Sequence, residues 1–256
     1  MIVEWTDKDR SRIRPLFEAH RRGRTVIFPA LDQGRGIVWV DSIEEPTIAR
    51  LHLTVLNALA GDSSSPAAEE LIRMIEPRQI VFGHDEDWTQ LIKKLWGERL
   101  GVLSRALLSP ESLDIEHLKN FRHQLPSGYT LQRMGLEDIR RLDKRTSMHI
   151  PTFFGSSKEF HEKGIAFCIK YAGEVVSMAS TFTPFIDSFE IQVDTFDKQH
   201  RRKGLATIVA AALMIHALEN GWVPQWDAAN EESIKLALKL GYTNPDRWEA
   251  YYQKPP

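Results

Sequence analysis

The chain of 256 residues contains one cysteine, Cys168, so no disulfide within the chain and no cysteine-based metal site can form, which fits a reducing compartment or simple indifference to redox. Acidic and basic residues nearly cancel, 35 against 33, and a formal net charge of −2 provides no global field to hold a polyanion. Nucleic acid is therefore not an expected partner. The longest apolar run, Leu205 to Ile215, is too short to cross a bilayer, and the opening MIVEWTDKDR is charged too early for a secretory signal. A cytoplasmic protein with no membrane role is expected, and no metal. Neither GxxxxGK[ST] nor GxGxxG occurs, which removes the P-loop and the dinucleotide fingerprint.

What is present, at 42% hydrophobic residues, suffices for one large or two modest domains. Periodicity predicts a mixed α/β N-terminal half: helix over Asp7–Arg21, strands over Gly36–Asp41 and Ala49–Leu56, helix over Pro66–Ile75, strand over Gln79–Gly83 and helix over Asp85–Leu95. A further strand and helix fall within 104–125. The break LPSGY at 125–129 places a domain boundary, giving residues 1–125 and 126–256. After it come a strand at Tyr129, a helix over Leu136–Leu142, an irregular aromatic stretch at 148–157 and strands over 165–171 and 174–183.

Strand SFEIQVDTF, 188–196, alternates Glu190, Gln192 and Asp194 with Phe189, Ile191 and Val193, so one face is apolar and the other meets water or a cleft. A helix from near Gly204 to Glu219, a strand over 224–230 and a helix over 231–240 follow, the last bracketed by Asn230 and Gly241. Strand, helix, strand implies a parallel pair with a crossover.

Directly before the long apolar helix stands QHRRKGLA. The first N–H groups of a helix lack internal partners and carry the positive end of its dipole, so phosphate is their natural complement. Arg201, Arg202 and Lys203 add charge, and Gly204 lets backbone approach a diphosphate without an intervening side chain. A diphosphate-bearing cofactor is implied.

Arg201, Gly204 and Ala206 resemble the signature of the GNAT N-acetyltransferase superfamily: Arg or Gln, two residues, Gly, one residue, then Gly or Ala. AANEESIKLALKLGY, 228–242, is similar to that family's asparagine, short helix and Gly-aromatic ending. The likeness covers about half the chain, from Tyr129 to Tyr252. It implies a GNAT-type acyl-CoA N-acyltransferase fold in the C-terminal half, preceded by a smaller mixed α/β domain. The outline of residues 79–97 suggests that the smaller domain is a degenerate copy of the same fold.

The resemblance also implies acetyl-CoA, or another acyl-CoA, with its pyrophosphate on the amides of Arg202, Lys203, Gly204, Leu205 and Ala206 beside Arg201. The pantetheine arm would lie between splayed parallel strands, against Val193 and Thr195 on one side and Asn230 on the other. Glu190, eleven residues before Arg201, stands where histone-type members carry a catalytic glutamate. A base is useful because an amine of pKa near 10.4 costs about 4–5 kcal/mol to deprotonate at pH 7. Asp194, Asp227 and His200 are the fallbacks.

Many relatives protonate the leaving thiolate with a tyrosine, and the matching position here is Ala237. Tyr242, Tyr251 and Tyr252 are possible substitutes, and water could suffice. Asp194, Asp227, His149, Phe153 and Phe154 are expected to form the acceptor pocket, with Trp226 on its wall, and acidic residues there favour a cationic small-molecule or peptide amine. A monomer or homodimer is expected. The competing class is a CoA-binding sensor or interaction module that no longer catalyses.

Overall fold

The computed structural model describes residues 1–142 and 147–255. They form two compact units, Met1–Arg105 with Arg247–Pro256, and Ala106–Asp246. The division differs from the boundary read at 125. Ala106–Leu108 pair with a strand of the second unit, and Leu118 and Phe121 pack into that unit's core, which draws residues 106–125 into it.

The first unit opens with β1 (Val3–Glu4). The helix expected over Asp7–Arg21 does not form. Asp7 accepts from the Asp9 N–H and Asp9 from the Ser11 N–H, each at 2.9 Å, and these local bonds compete with helical ones. Only a 3-10 turn, Arg14–Phe17, follows them. Next come α1 (Arg24–Asp32), β2 (Ile37–Val40), β3 (Ile48–Leu53) and β4 (Leu56–Gly61). The single strand expected over Ala49–Leu56 is thus a hairpin, turned at Thr54 with φ of 53°. Then follow α2 (Ala68–Arg73), β5 (Ile80–Gly83), α3 (Glu86–Trp96), whose N-cap is Asp85, and the start of β6 (Leu100–Ser109). Strands β1 to β4 pair antiparallel and β4 pairs parallel with β5. Residues Tyr251 and Tyr252 add an antiparallel neighbour to β5.

The second unit contains α4 (Ile115–Arg122), β7 (Tyr129–Arg133), α5 (Leu136–Arg141), a π-turn over Ile150–Phe154, α6 (Ser157–Lys163), β8 (Ala166–Tyr171) and β9 (Glu174–Thr181). It continues through β10 (Ser188–Thr195), α7 (Leu205–Glu219), β11 (Val223–Ala228), α8 (Glu231–Leu240) and the start of β12 (Thr243–Gln253). Strands β7 to β10 form an antiparallel meander, β10 pairs parallel with β11, and β11 is flanked antiparallel by Ala106–Leu108. Of the 15 residues of α7, eleven are buried, so this helix is apolar all round and forms the centre of the core. Phe189, Ile191 and Val193 of β10 pack on the same cluster, which turns Glu190, Gln192 and Asp194 to the opposite face.

Candidate active site

The parallel pairing of β10 with β11 stops after Glu190 and Gln225. Beyond that point β10 keeps β9, through Ile191 to Thr195, and β11 keeps β6, through Trp226 to Ala228. Each strand retains its outer neighbour and loses the inner one, which makes a fork.

Hydrogen-bond parity fixes which backbone groups face it. Phe182 N donates to Glu190 O at 2.8 Å, and Phe196 N to Val176 O at 3.0 Å. Even-numbered β10 residues therefore serve β9, and Ile191, Val193 and Thr195 turn their N–H and C=O groups to the fork. Of these, the Thr195 carbonyl accepts from Arg201 Nε at 3.3 Å.

In an unbroken parallel ladder the Asp227 N–H would meet the Ile191 carbonyl. Here Glu190 Oε1 accepts it instead, at 2.7 Å. The carboxylate thus bridges the strands where they part. Glu190, Asp194 and Asp227 share the polar face and are all half-buried. Phe182, the cross-strand partner of Glu190, stands on that face too; its sequence gave no signal, because only the register brings it there.

Past the strand, a 3-10 turn over Lys198–His200 leads to Arg201. Arg202 has φ of 59° and Gly204 of 77°, so two left-handed residues alternate at the helix start. That alternation converges backbone N–H groups into an anion-binding concavity. The bonds into α7 begin with Ile208 N to Gly204 O at 3.1 Å, leaving the N–H groups of Leu205, Ala206 and Thr207 at the N-terminus of a 15-residue helix. A Cβ placed on Gly204 would meet nothing within 4 Å, so the turn opens onto space. The residues present fit a diphosphate.

Other expectations change. His200, named as a fallback base, is buried, with Nδ1 2.9 Å from Tyr129 Oη, which also accepts from Lys203 Nζ at 3.1 Å. His149, Phe153 and Phe154 are each no more than 2% exposed, and their rings pack with Phe160 and Phe182. They form a plug behind the polar face, not an open wall. Trp226 lies in the core, where its indole donates to Ser233 Oγ at 3.0 Å. Asn230 caps α8, accepting from Ser233 N at 2.9 Å, and follows β11 at the end where the fork opens.

No thiolate acid stands at position 237: Ala237 carries no ionisable group, and it is fully buried. Tyr242 does not substitute: its hydroxyl donates to Pro224 O at 2.9 Å, and burial, with the Glu190 charge nearby, pushes its pKa well above the usual phenol range. Tyr251 and Tyr252 belong to the first unit.

The first unit repeats this plan with a different outcome. Its parallel pair, β4 and β5, ends after Leu59 and Gly83, where β5 itself stops while β4 runs on to Gly61. There the Leu59 carbonyl accepts from His20 Nε2 at 2.9 Å and the Gly61 carbonyl from the Trp88 indole at 2.9 Å. Gly83 permits this packing, because a Cβ on it would lie 2.2 Å from that of Trp88. The second fork is closed by two buried side chains.

A helix-linked parallel pair that forks at a carboxylate beside an amide-rich helix start is the arrangement that the resemblance to the N-acyltransferases implies. The model of the GNAT acetyltransferase family matches residues 14–251, and the chain belongs to that family. It is 26% identical to an uncharacterized N-acetyltransferase, YdfB, of Bacillus subtilis, over 98% of both chains. A GCN5-related N-acetyltransferase-like protein from Streptococcus suis is 26% identical with a TM-score of 0.81, covering 96% of this chain and 99% of that one. A tandem GNAT protein from the clavulanic acid pathway shares the fold, with a TM-score of 0.62 at 13% identity, over 100% of this chain and 99% of that one. The fold is accordingly that of a two-domain GNAT protein. Among the described residues no helix is long and apolar enough to cross a membrane.

Proposed function

We propose that the second unit transfers an acyl group from acetyl-CoA, or another acyl-CoA, to an amine by direct attack, and that Glu190 is the general base. The observation that carries this reading is the fork itself: the strand edge of Ile191, Val193 and Thr195 is followed, after the 3-10 turn at Lys198–His200, by the left-handed turn at Arg202–Gly204. An amide-containing arm complements the strand edge, and a diphosphate complements the turn. Val193 and Thr195 hold the arm, with Asn230 at its far side. Backbone from Arg202 to Ala206 holds the phosphates, and Arg201 contributes charge.

The co-substrate supplies the activated thioester; the chain's residues orient the amine and move its proton. Glu190, Asp194 and Asp227 on one half-buried face draw a cationic amine, a small molecule or a peptide, and Glu190 removes its proton. The nitrogen then bonds to the acyl carbon, the carbon–sulfur bond breaks, and the thiolate takes up a proton. A thiol of pKa about 8.5 is a fair leaving group, so the absence of a hydroxyl at Ala237 is tolerable.

The test is release of free CoA thiol across a panel of primary amines. Turnover with at least one cationic amine is the expected result. Tight acetyl-CoA binding without turnover on the whole panel would instead identify a sensor.

A further inference from the structure

Resting on the reading of the fork above, we infer that Tyr171 is the platform for the adenine ring of the co-substrate and that Lys203 meets its ribose 3′-phosphate. The adenosine is bonded directly to the diphosphate, so whatever recognises it must lie beside the turn at Arg202–Gly204. Lys203 of that turn and His200 of the 3-10 turn just before it reach the same aromatic group. His200 Nδ1 lies 2.9 Å from Tyr129 Oη, and Lys203 Nζ lies 3.1 Å from that oxygen and 5.6 Å from the ring centroid.

Tyr129 in turn supports Tyr171, the last residue of β8, with ring centroids 4.9 Å apart, and His200 supports it from 5.3 Å. Tyr171 remains 45% exposed, while His200 behind it is buried and Tyr129 half-buried. A lone exposed aromatic means little. This one is held by two rings, beside a cation fixed on the same cluster and next to a phosphate-binding turn. A flat π-face paired with an ammonium suits a purine nucleotide, since bases stack on aromatic rings whatever their identity.

Calorimetry on the full chain, with acetyl-CoA, its 3′-dephospho form and S-acetyl-4′-phosphopantetheine, tests the assignment. Tyr171→Ala is expected to weaken acetyl-CoA binding by about 5- to 50-fold. Tyr171→Phe should retain wild-type affinity, and S-acetyl-4′-phosphopantetheine should bind all three proteins equally. Lys203→Met should erase the preference for acetyl-CoA over its dephospho form. Unchanged acetyl-CoA affinity in Tyr171→Ala would overturn the platform while leaving the fork intact. A wild-type protein that binds none of the three ligands would overturn both.

Discussion

Glu190 has two separable tasks, and two substitutions divide them. Its carboxylate closes the 2.7 Å bond from the Asp227 amide at the point where β10 and β11 part. Glu190→Gln retains a carbonyl oxygen for that amide but cannot take a proton from an amine. Glu190→Ala removes both functions and leaves the amide without its acceptor. Loss of a positioned base costs about 10² to 10⁴ in turnover, or about 3–5 kcal/mol of barrier. Loss of the acceptor costs about 1–3 kcal/mol of stability, a shift of several degrees in thermal midpoint for a chain of this size.

Glu190→Gln should therefore unfold near the wild-type temperature, bind acetyl-CoA normally and turn over at least about a hundredfold more slowly. Glu190→Ala should show the same kinetic loss together with a lowered midpoint. Steady-state thiol release, calorimetry and a thermal melt on the three proteins complete the comparison. Wild-type turnover in Glu190→Gln refutes the base assignment, and a wild-type melt in Glu190→Ala refutes the bridging role.

Gly204 has a left-handed φ of 77° and open space at its Cβ. Gly204→Glu puts a carboxylate where phosphate belongs and should abolish acetyl-CoA binding, with circular dichroism unchanged; retained affinity would place the phosphates elsewhere. Because His20 and Trp88 fill the fork of the first unit, acetyl-CoA should bind at one equivalent per chain by calorimetry, and two equivalents would show that the stopper yields. Burial pushes the His20 imidazole down to about 4. Above the ordinary value near 6.5 it is neutral folded or unfolded; as pH falls from there to about 4, the unfolded chain is protonated first and stability drops by about 3 kcal/mol. Denaturant melts at pH about 7.5 and 4.5 should show this loss in the wild type and less of it in His20→Gln; equal pH dependence in both would exclude His20 as its source.

The family plan was legible in sequence because it is written in short-range chemistry. Alternation in 188–196 gave β10 and its polar face, the Asn230-to-Gly241 bracket gave α8, and RRKG before an apolar run gave the turn that opens α7. Each depends on residues within a turn or two of one another. The helix expected over Asp7–Arg21 failed on the same scale, since Asp7 and Asp9 bond locally to backbone in competition with helix.

Tertiary structure alone decided what those pieces do together. The bond from Glu190 to Asp227 spans 37 positions and that from Tyr129 to His200 spans 71, and no periodicity encodes either. The aromatic stretch with His149, Phe153 and Phe154 reads the same whether it lines a pocket or fills one; packing against Phe160 and Phe182 made it a plug. Both units carry a helix-linked parallel pair, yet one fork is bridged by a half-buried carboxylate and the other is stoppered by an imidazole and an indole. Local sequence sets where strands form and which way they alternate. Which side chain enters the gap between them depends on contacts made only after the chain has folded back on itself.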